Sequence, residues 1–330
     1  MNKKISLMLA VLLAISIFCM TACGGEKETE DEVEKTVIKI LTNSACGELC
    51  KAIGVKIEEN METIDIKISA SGTDVENMRD YFKKDITGED DEASMLMAQS
   101  DVINYAYHGR GIFRGEKIRG YSAVAACYTN GCQLAVGQYS GIETVADLKG
   151  KTVCVGEEGS STEFMVKNIL SASGLKFSDI TPENKDFEES MEAFQNGEVD
   201  AIFFIAGAPE RNLLELAVTQ GAKIVSIEGE GIDKLLETHK YYVPYVIPAG
   251  TYAGQEEDVN TIAVKYVITA RDDMDAELVY SFMKIAFDNK NEIAEETARD
   301  AETDLKMLQQ GITIPLHPGA EKYYKEAGAL

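Results

Sequence analysis

The chain has 330 residues, 45% of them hydrophobic and 27% charged, which describes a globular body large enough for two lobes of ordinary size. Its formal net charge of −24 leaves no basic footprint for nucleic acid and opposes adhesion to anionic lipid. An acidic exterior still permits a locally positive pocket for an anionic ligand.

The first segment reads as a lipoprotein leader. Lys3 and Lys4 precede an apolar run from 7 to 20 that is too short to span a membrane. Met20-Thr21-Ala22-Cys23 then places small side chains before a cysteine. Residues 1–22 are the expected signal peptide, and the Cys23 thiol is the expected lipidation site. An ordinary signal peptide with a chance cysteine is the alternative. Residues 23–35, with Gly24, Gly25 and a charged run, read as a lipidated flexible tether. The body is then expected on the extracytoplasmic face of the cell membrane, held by its lipid anchor.

From 36 onward short apolar strands alternate with amphipathic helical stretches. Strands are expected at 37–41, 64–69, 94–99, 124–128, 133–136, 152–155, 199–205, 223–227 and 261–270. Helices are expected at 48–59, 74–85, 162–172, 189–195, 211–219 and 232–238, and over most of the chain after 275. Such alternation implies parallel sheets covered on both faces. The predicted fold is α/β and periplasmic-binding-protein-like, with two parallel-sheet lobes joined by crossing hinge strands near 128–132 and 258–263. Lobe I would be discontinuous, 36–128 plus 260–330, and lobe II would be 129–259.

Five cysteines lie beyond the anchor: Cys46, Cys50, Cys127, Cys132 and Cys154. Asn130-Gly131 between Cys127 and Cys132 has the composition of a hairpin turn, so these two could pair across it. Free thiols are the alternative. The three histidines, His108, His239 and His317, are isolated, and the spacing needed for a zinc site is missing. No metal and no cofactor are expected.

Four polar clusters fall where a strand should end and a helix begin: Thr42-Asn43-Ser44, Ser71-Gly72-Thr73-Asp74, Gln99-Ser100-Asp101 and Gly156 to Thr162. Open α/β sheets bind ligands at such ends, where helix N-termini offer free N–H groups and partial positive charge. Helix capping explains each cluster taken singly. Their convergence points to a site.

With these clusters the chain resembles TAXI-type solute receptors, the extracytoplasmic binding components of TRAP transporters. The resemblance rests on Ser71 to Asn77, on Gln99-Ser100-Asp101-Val102, and on Val145 to Lys151 followed by Gly156 and Gly159-Ser160. It continues through Val199-Asp200-Ala201, Gly207, Pro209, Ile247-Pro248, Gly250-Thr251-Tyr252 and Leu316-His317-Pro318-Gly319-Ala320. The sequence departs from that family at 42–50, where a glycine-rich loop and paired tyrosines are usual. The resemblance implies a receptor that closes on a small carboxylate-bearing solute, glutamate-like or a dicarboxylate, and delivers it to integral-membrane TRAP subunits driven by an ion gradient.

The expected ligand-binding residues are Asn43, Ser44, Ser71, Gly72, Thr73, Gln99, Asp101, Gly159, Ser160, Ser161, Thr162, Gly207 and Tyr252. Backbone N–H groups at 159–162 and the three hydroxyls there would hold the carboxylate. Asp101 could hold a ligand amine or merely cap its helix. Tyr252 could offer an aromatic face or pack in the core. The binding protein of an ATP-driven importer shares this fold and is the nearest alternative. A sensor-linked binding lipoprotein is another. An enzyme is not expected: no nucleophile elbow, zincin motif or P-loop occurs.

Overall fold

The computed structural model describes residues 35–82, 94–297 and 304–330. The leader, Cys23 and the tether before 35 lie outside the described residues, as does the end of the helix expected at 74–85. Lys35–Leu330 form one compact unit. Its strands are β1 (Thr36–Thr42), β2 (Ile64–Ala70), β3 (Met95–Gln99), β4 (Tyr121–Gly137), β5 (Thr152–Cys154), β6 (Thr181–Glu183), β7 (Ala201–Ala206), β8 (Ala222–Val225), β9 (Tyr242–Ile247) and β10 (Val259–Arg271). Its helices are α1 (Gly47–Asn60), α2 (Asp74–Asp80), α3 (Ser100–His108), α4 (Ser161–Ala172), α5 (Phe187–Gln195), α6 (Arg211–Gln220), α7 (Glu230–Thr238), α8 (Ala276–Asp288), α9 (Lys290–Thr297) and α10 (Pro318–Glu326).

The strands form one sheet in the order β2-β1-β3-β10-β4-β7-β5-β6. β1, β2 and β3 are mutually parallel, and so are β5, β6 and β7. Between these two groups run β10 and β4, antiparallel to each other and to their outer neighbours. The expected pair of parallel groups joined by long crossing strands is present. β4 and β10 belong to both groups, so the sheet is continuous. β3 and β10 read as near-continuous apolar runs because both of their faces are covered.

Helices cover the faces in an amphipathic way. Ile53 and Ile57 of α1, Phe282 of α8 and Tyr324 of α10 pack with Ile38, Ile40 and Met97. Val102 of α3 and Val166 and Ile169 of α4 pack with Leu96, Leu134 and Phe203. Leu213 and Leu216 of α6 pack with Ile202 and Phe204. Helix ends are set locally. Thr73 with Glu76 and Asp186 with Glu189 form reciprocal capping boxes. Gly109 ends α3 in the left-handed conformation, as Gly221 ends α6.

Two expectations are corrected. The strands expected at 124–128 and 133–136 are one 17-residue strand, β4. Asn130-Gly131 does not turn, because β10 pairs it with Val264 and Ala263. Gly131 instead admits the Tyr245 ring, which lies 2.7 Å from where a Cβ would sit. Cys127 and Cys132 are therefore about 16 Å apart along one strand at roughly 3.3 Å per residue. That is beyond the ~7 Å Cα limit for a disulfide. None of the five described cysteines is in a disulfide. The second correction is β9, which contains Pro244 and was not anticipated. β9 pairs only with β10, so an edge position tolerates the missing N–H.

The Leu316 to Ala320 motif is structural. The His317 ring accepts the Gly319 N–H at 3.3 Å and caps α10, and Pro318 occupies the first helical turn. Gly319 lets α10 lie against α8: a Cβ there would overlap the Ala276 carbonyl oxygen and the Tyr280 nitrogen.

Candidate functional site

Four strands of the parallel groups, β1, β5, β6 and β7, end around a cleft of about 510 Å³. Ser44 and Ala45 line it just beyond β1. Gly156, Glu157, Ser160 and Thr162 line it beyond β5, and Lys185, Asp186, Phe187 and Ser190 beyond β6. Phe203 to Gly207 and Glu210 come from β7 and its loop, and Tyr128 and Asn130 from the middle of β4. Carboxyl-end loops converge here because parallel strands point the same way.

Of the expected site residues, Ser44, Ser160, Thr162 and Gly207 line this cleft. The others do not. Ser71, Gly72 and Thr73 are exposed, and Thr73 is committed to capping α2. Gly159 has φ +76°, with open space where a Cβ would point, and its N–H goes to Glu163. Its glycine character serves the turn. Tyr252 is buried; its hydroxyl donates to Gln133 Oε1 at 2.6 Å and accepts the Glu210 N–H at 2.8 Å. Core packing accounts for it. Asp101 is fully buried, accepts only the adjacent Val102 N–H at 2.8 Å, and leaves Oδ2 without a partner. It neither reaches the cleft nor caps α3, whose N-cap is Gln99.

Asn43, Gln99 and Ser161 form a separate polar cluster. Ser161 Oγ donates to Gln99 Oε1 at 2.8 Å, joining the start of α4 to the end of β3. Gln99 Nε2 and Asn43 Nδ2 both donate to the Tyr266 hydroxyl, at 3.1 and 3.0 Å. Asn43 Nδ2 also reaches Asp74 Oδ1 at 2.8 Å, while Asp74 Oδ2 accepts the Gln99 N–H at 3.2 Å. Asn43 and Gln99 are thus struts that fix the ends of β1 and β3. Burial pushes Asp74 and Asp101 up to about 7. Burial also drives the Tyr266 hydroxyl well above its ordinary range, with the Asp74 charge adding to it.

Sequence reading missed Asn130, Lys185, Asp186, Phe187 and Glu210. The Asp186/Glu189 capping spacing after a β-prone stretch was the available signal for the β6 loop. Asn130 was hidden by its Asn-Gly turn composition. It is 7% exposed, and its carboxamide has no hydrogen-bond partner among the described residues. Among those residues, no group of His, Cys, Asp and Glu could hold a metal ion, and no helix is long and apolar enough to cross a membrane.

Two parallel strand groups, long antiparallel connecting strands and a cleft at the strand ends define an α/β periplasmic-binding-protein-like fold. Residues 44–328 match the model of the NMT1-like family, and the chain belongs to that family. The motifs quoted above resemble TAXI-type receptors, whereas the family that the match establishes is the NMT1-like one. A periplasmic sulfonate-binding protein SsuA from Methylobacillus flagellatus KT shares 14% identity at a TM-score of 0.50, covering 89% of this chain and 86% of that one. A Xanthomonas citri protein bound to ATP shares 12% identity at 0.50, covering 89% and 96%. An Escherichia coli (strain K12) protein named for binding aliphatic sulfonates is 43% identical over 68 residues, 21% of each chain. The chain thus spans about a fifth of the length of that curated relative.

Proposed function

We propose that this protein is an extracytoplasmic receptor that captures a small solute and delivers it to a membrane importer, of the ATP-driven kind. The observation that carries this reading is the 510 Å³ cleft, walled by the carboxyl ends of both parallel groups and floored by β4. A cleft so placed can open and close by bending two strands, and a ligand that prefers the closed form drives closure. The division into 36–128 plus 260–330 and 129–259 belongs to this reading, with β4 and β10 as hinges. The ATP-driven partner is supported by relatives named for sulfonate binding in the same fold. The TAXI-like motifs support delivery to a TRAP permease as the second reading. Cys23 would anchor the receptor outside the membrane.

Native mass spectrometry of the purified protein should find a co-purified small molecule, and calorimetry should return a single site for it. A protein that carries no solute, and that no solute pool stabilises, would overturn the receptor reading. Solute uptake that collapses on ATP depletion but survives dissipation of ion gradients separates the two importer classes. Cys23→Ser should release the protein from the detergent phase; unchanged partitioning would remove the anchor from the proposal.

A further inference from the structure

The cleft carries its own anions where an anion receptor needs free donors. Three helices begin at its edge, α4, α5 and α6, and each could have offered first-turn N–H groups to a negatively charged solute. One of those groups in each helix, the third, is already taken. The Glu163 N–H goes to Ser160 Oγ at 3.2 Å, the Glu189 N–H to Asp186 Oδ1 at 2.8 Å and the Leu213 N–H to Glu210 Oε2 at 2.8 Å. Asp186 and Glu210 thus set two carboxylates against the positive helix ends, and Glu157 adds a third that makes no capping bond. Among the described residues, Lys185 is the one cationic side chain of the lining.

Two further features point to a ligand. Phe187 is 37% exposed and stands on Phe204, with ring centroids 5.5 Å apart. Asn130 is nine-tenths buried in the cleft lining with an unpartnered carboxamide. Its Oδ1 lies 3.9 Å from the position of a Cβ on Gly207, another lining residue, so it faces the same space. The amide is therefore open to the cleft, with its donors and acceptor available to a ligand.

We infer that the cleft selects a solute with a positively charged nitrogen on a flat, apolar body: an aromatic organic cation or zwitterion. It should discriminate against dicarboxylates and sulfonates. This rests on the receptor reading above and deepens it. The ring would lie against Phe187, the charged nitrogen among Glu157, Asp186 and Glu210, and a polar substituent on Asn130. A carboxylate, where the solute has one, would meet Lys185. Carboxylates and an aromatic face together favour a cation, and the −24 net charge of the chain enriches cations near the cleft.

The test uses matched probes on the purified protein after release of any bound solute. Tyramine and 3-(4-hydroxyphenyl)propionate share one body and differ in charge; ethanesulfonate and glutamate represent the anionic classes. Calorimetry should give tyramine at least tenfold tighter binding than the propionate, with affinity falling as sodium chloride is raised. Glu157→Gln should weaken tyramine several-fold and leave the melting curve in place, since Glu157 caps nothing. Phe187→Ala should weaken tyramine and the propionate together. Tighter binding of the propionate, ethanesulfonate or glutamate would overturn the inference and leave the receptor reading intact. A co-purified solute of net negative charge would do the same. Absence of any co-purified solute, with no binding by any probe, would overturn both.

Discussion

Ser161→Ala tests whether the α4–β3 contact holds the closed form. The hydroxyl lies 2.8 Å from Gln99 Oε1 and is its one hydrogen-bond donor among the described residues. The rest of Gln99 is fixed: its side-chain amide donates to Tyr266, and its N–H to Asp74. The carboxamide therefore cannot swing to a new partner without breaking the cluster. A neutral hydrogen bond contributes about 0.5–1.5 kcal/mol net. In the proposed division Ser161 and Gln99 sit in different lobes, so the bond exists only when they are together. Removing it should shift the closed population by about two- to tenfold, and the apparent Kd of the solute should rise by the same factor. Calorimetry with the co-purified solute measures that change, and small-angle scattering of the ligand-free protein should show a larger radius of gyration. Ser160 still caps α4 in this variant, so helix loss does not confound the result. Unchanged affinity and radius in a folded Ser161→Ala protein would refute the latch.

The buried carboxyls make stability depend on pH. Asp101 is raised from its ordinary 3.8 to about 7 by burial, with the Asp74 charge adding to it, so the folded state holds the proton more tightly. Its stabilising contribution is complete below about pH 3.8 and is lost as pH rises through about 7. Asp101→Asn should therefore gain Tm relative to wild type between pH 5 and 8; a difference that does not change with pH rejects the assignment. Gly319→Ala should destabilise by about 1–3 kcal/mol, because α10 cannot move off α8 freely. A melting curve within a degree of wild type would show that the helices give way. Thiol titration of the denatured protein from residue 36 onward, purified in air, should count all five cysteines as free. A Cys127–Cys132 cross-link found by peptide mapping would contradict the unbroken β4.

Composition and periodicity determined the class of fold. Apolar runs at 37–41, 94–99 and 261–270 could only be buried strands, and the alternation with helices required a largely parallel sheet. Those signals are local, since each depends on one side-chain period. The caps at Thr73 and Ser160 were legible for the same reason, since each acts within four residues of itself. Tertiary structure alone decided which polar loops share a space. Gln99 and Asn43 had the composition of ligand contacts, but Tyr266, far along the chain, claims both. Asn130-Gly131 has the composition of a turn, but pairing with β10 and the Tyr245 ring keep it extended. Lys185, Phe187 and Glu210 enter the cleft because β6 and β7 run parallel to β5 and β1 runs parallel to β3. That arrangement is long-range and leaves no local mark on the residues it brings together.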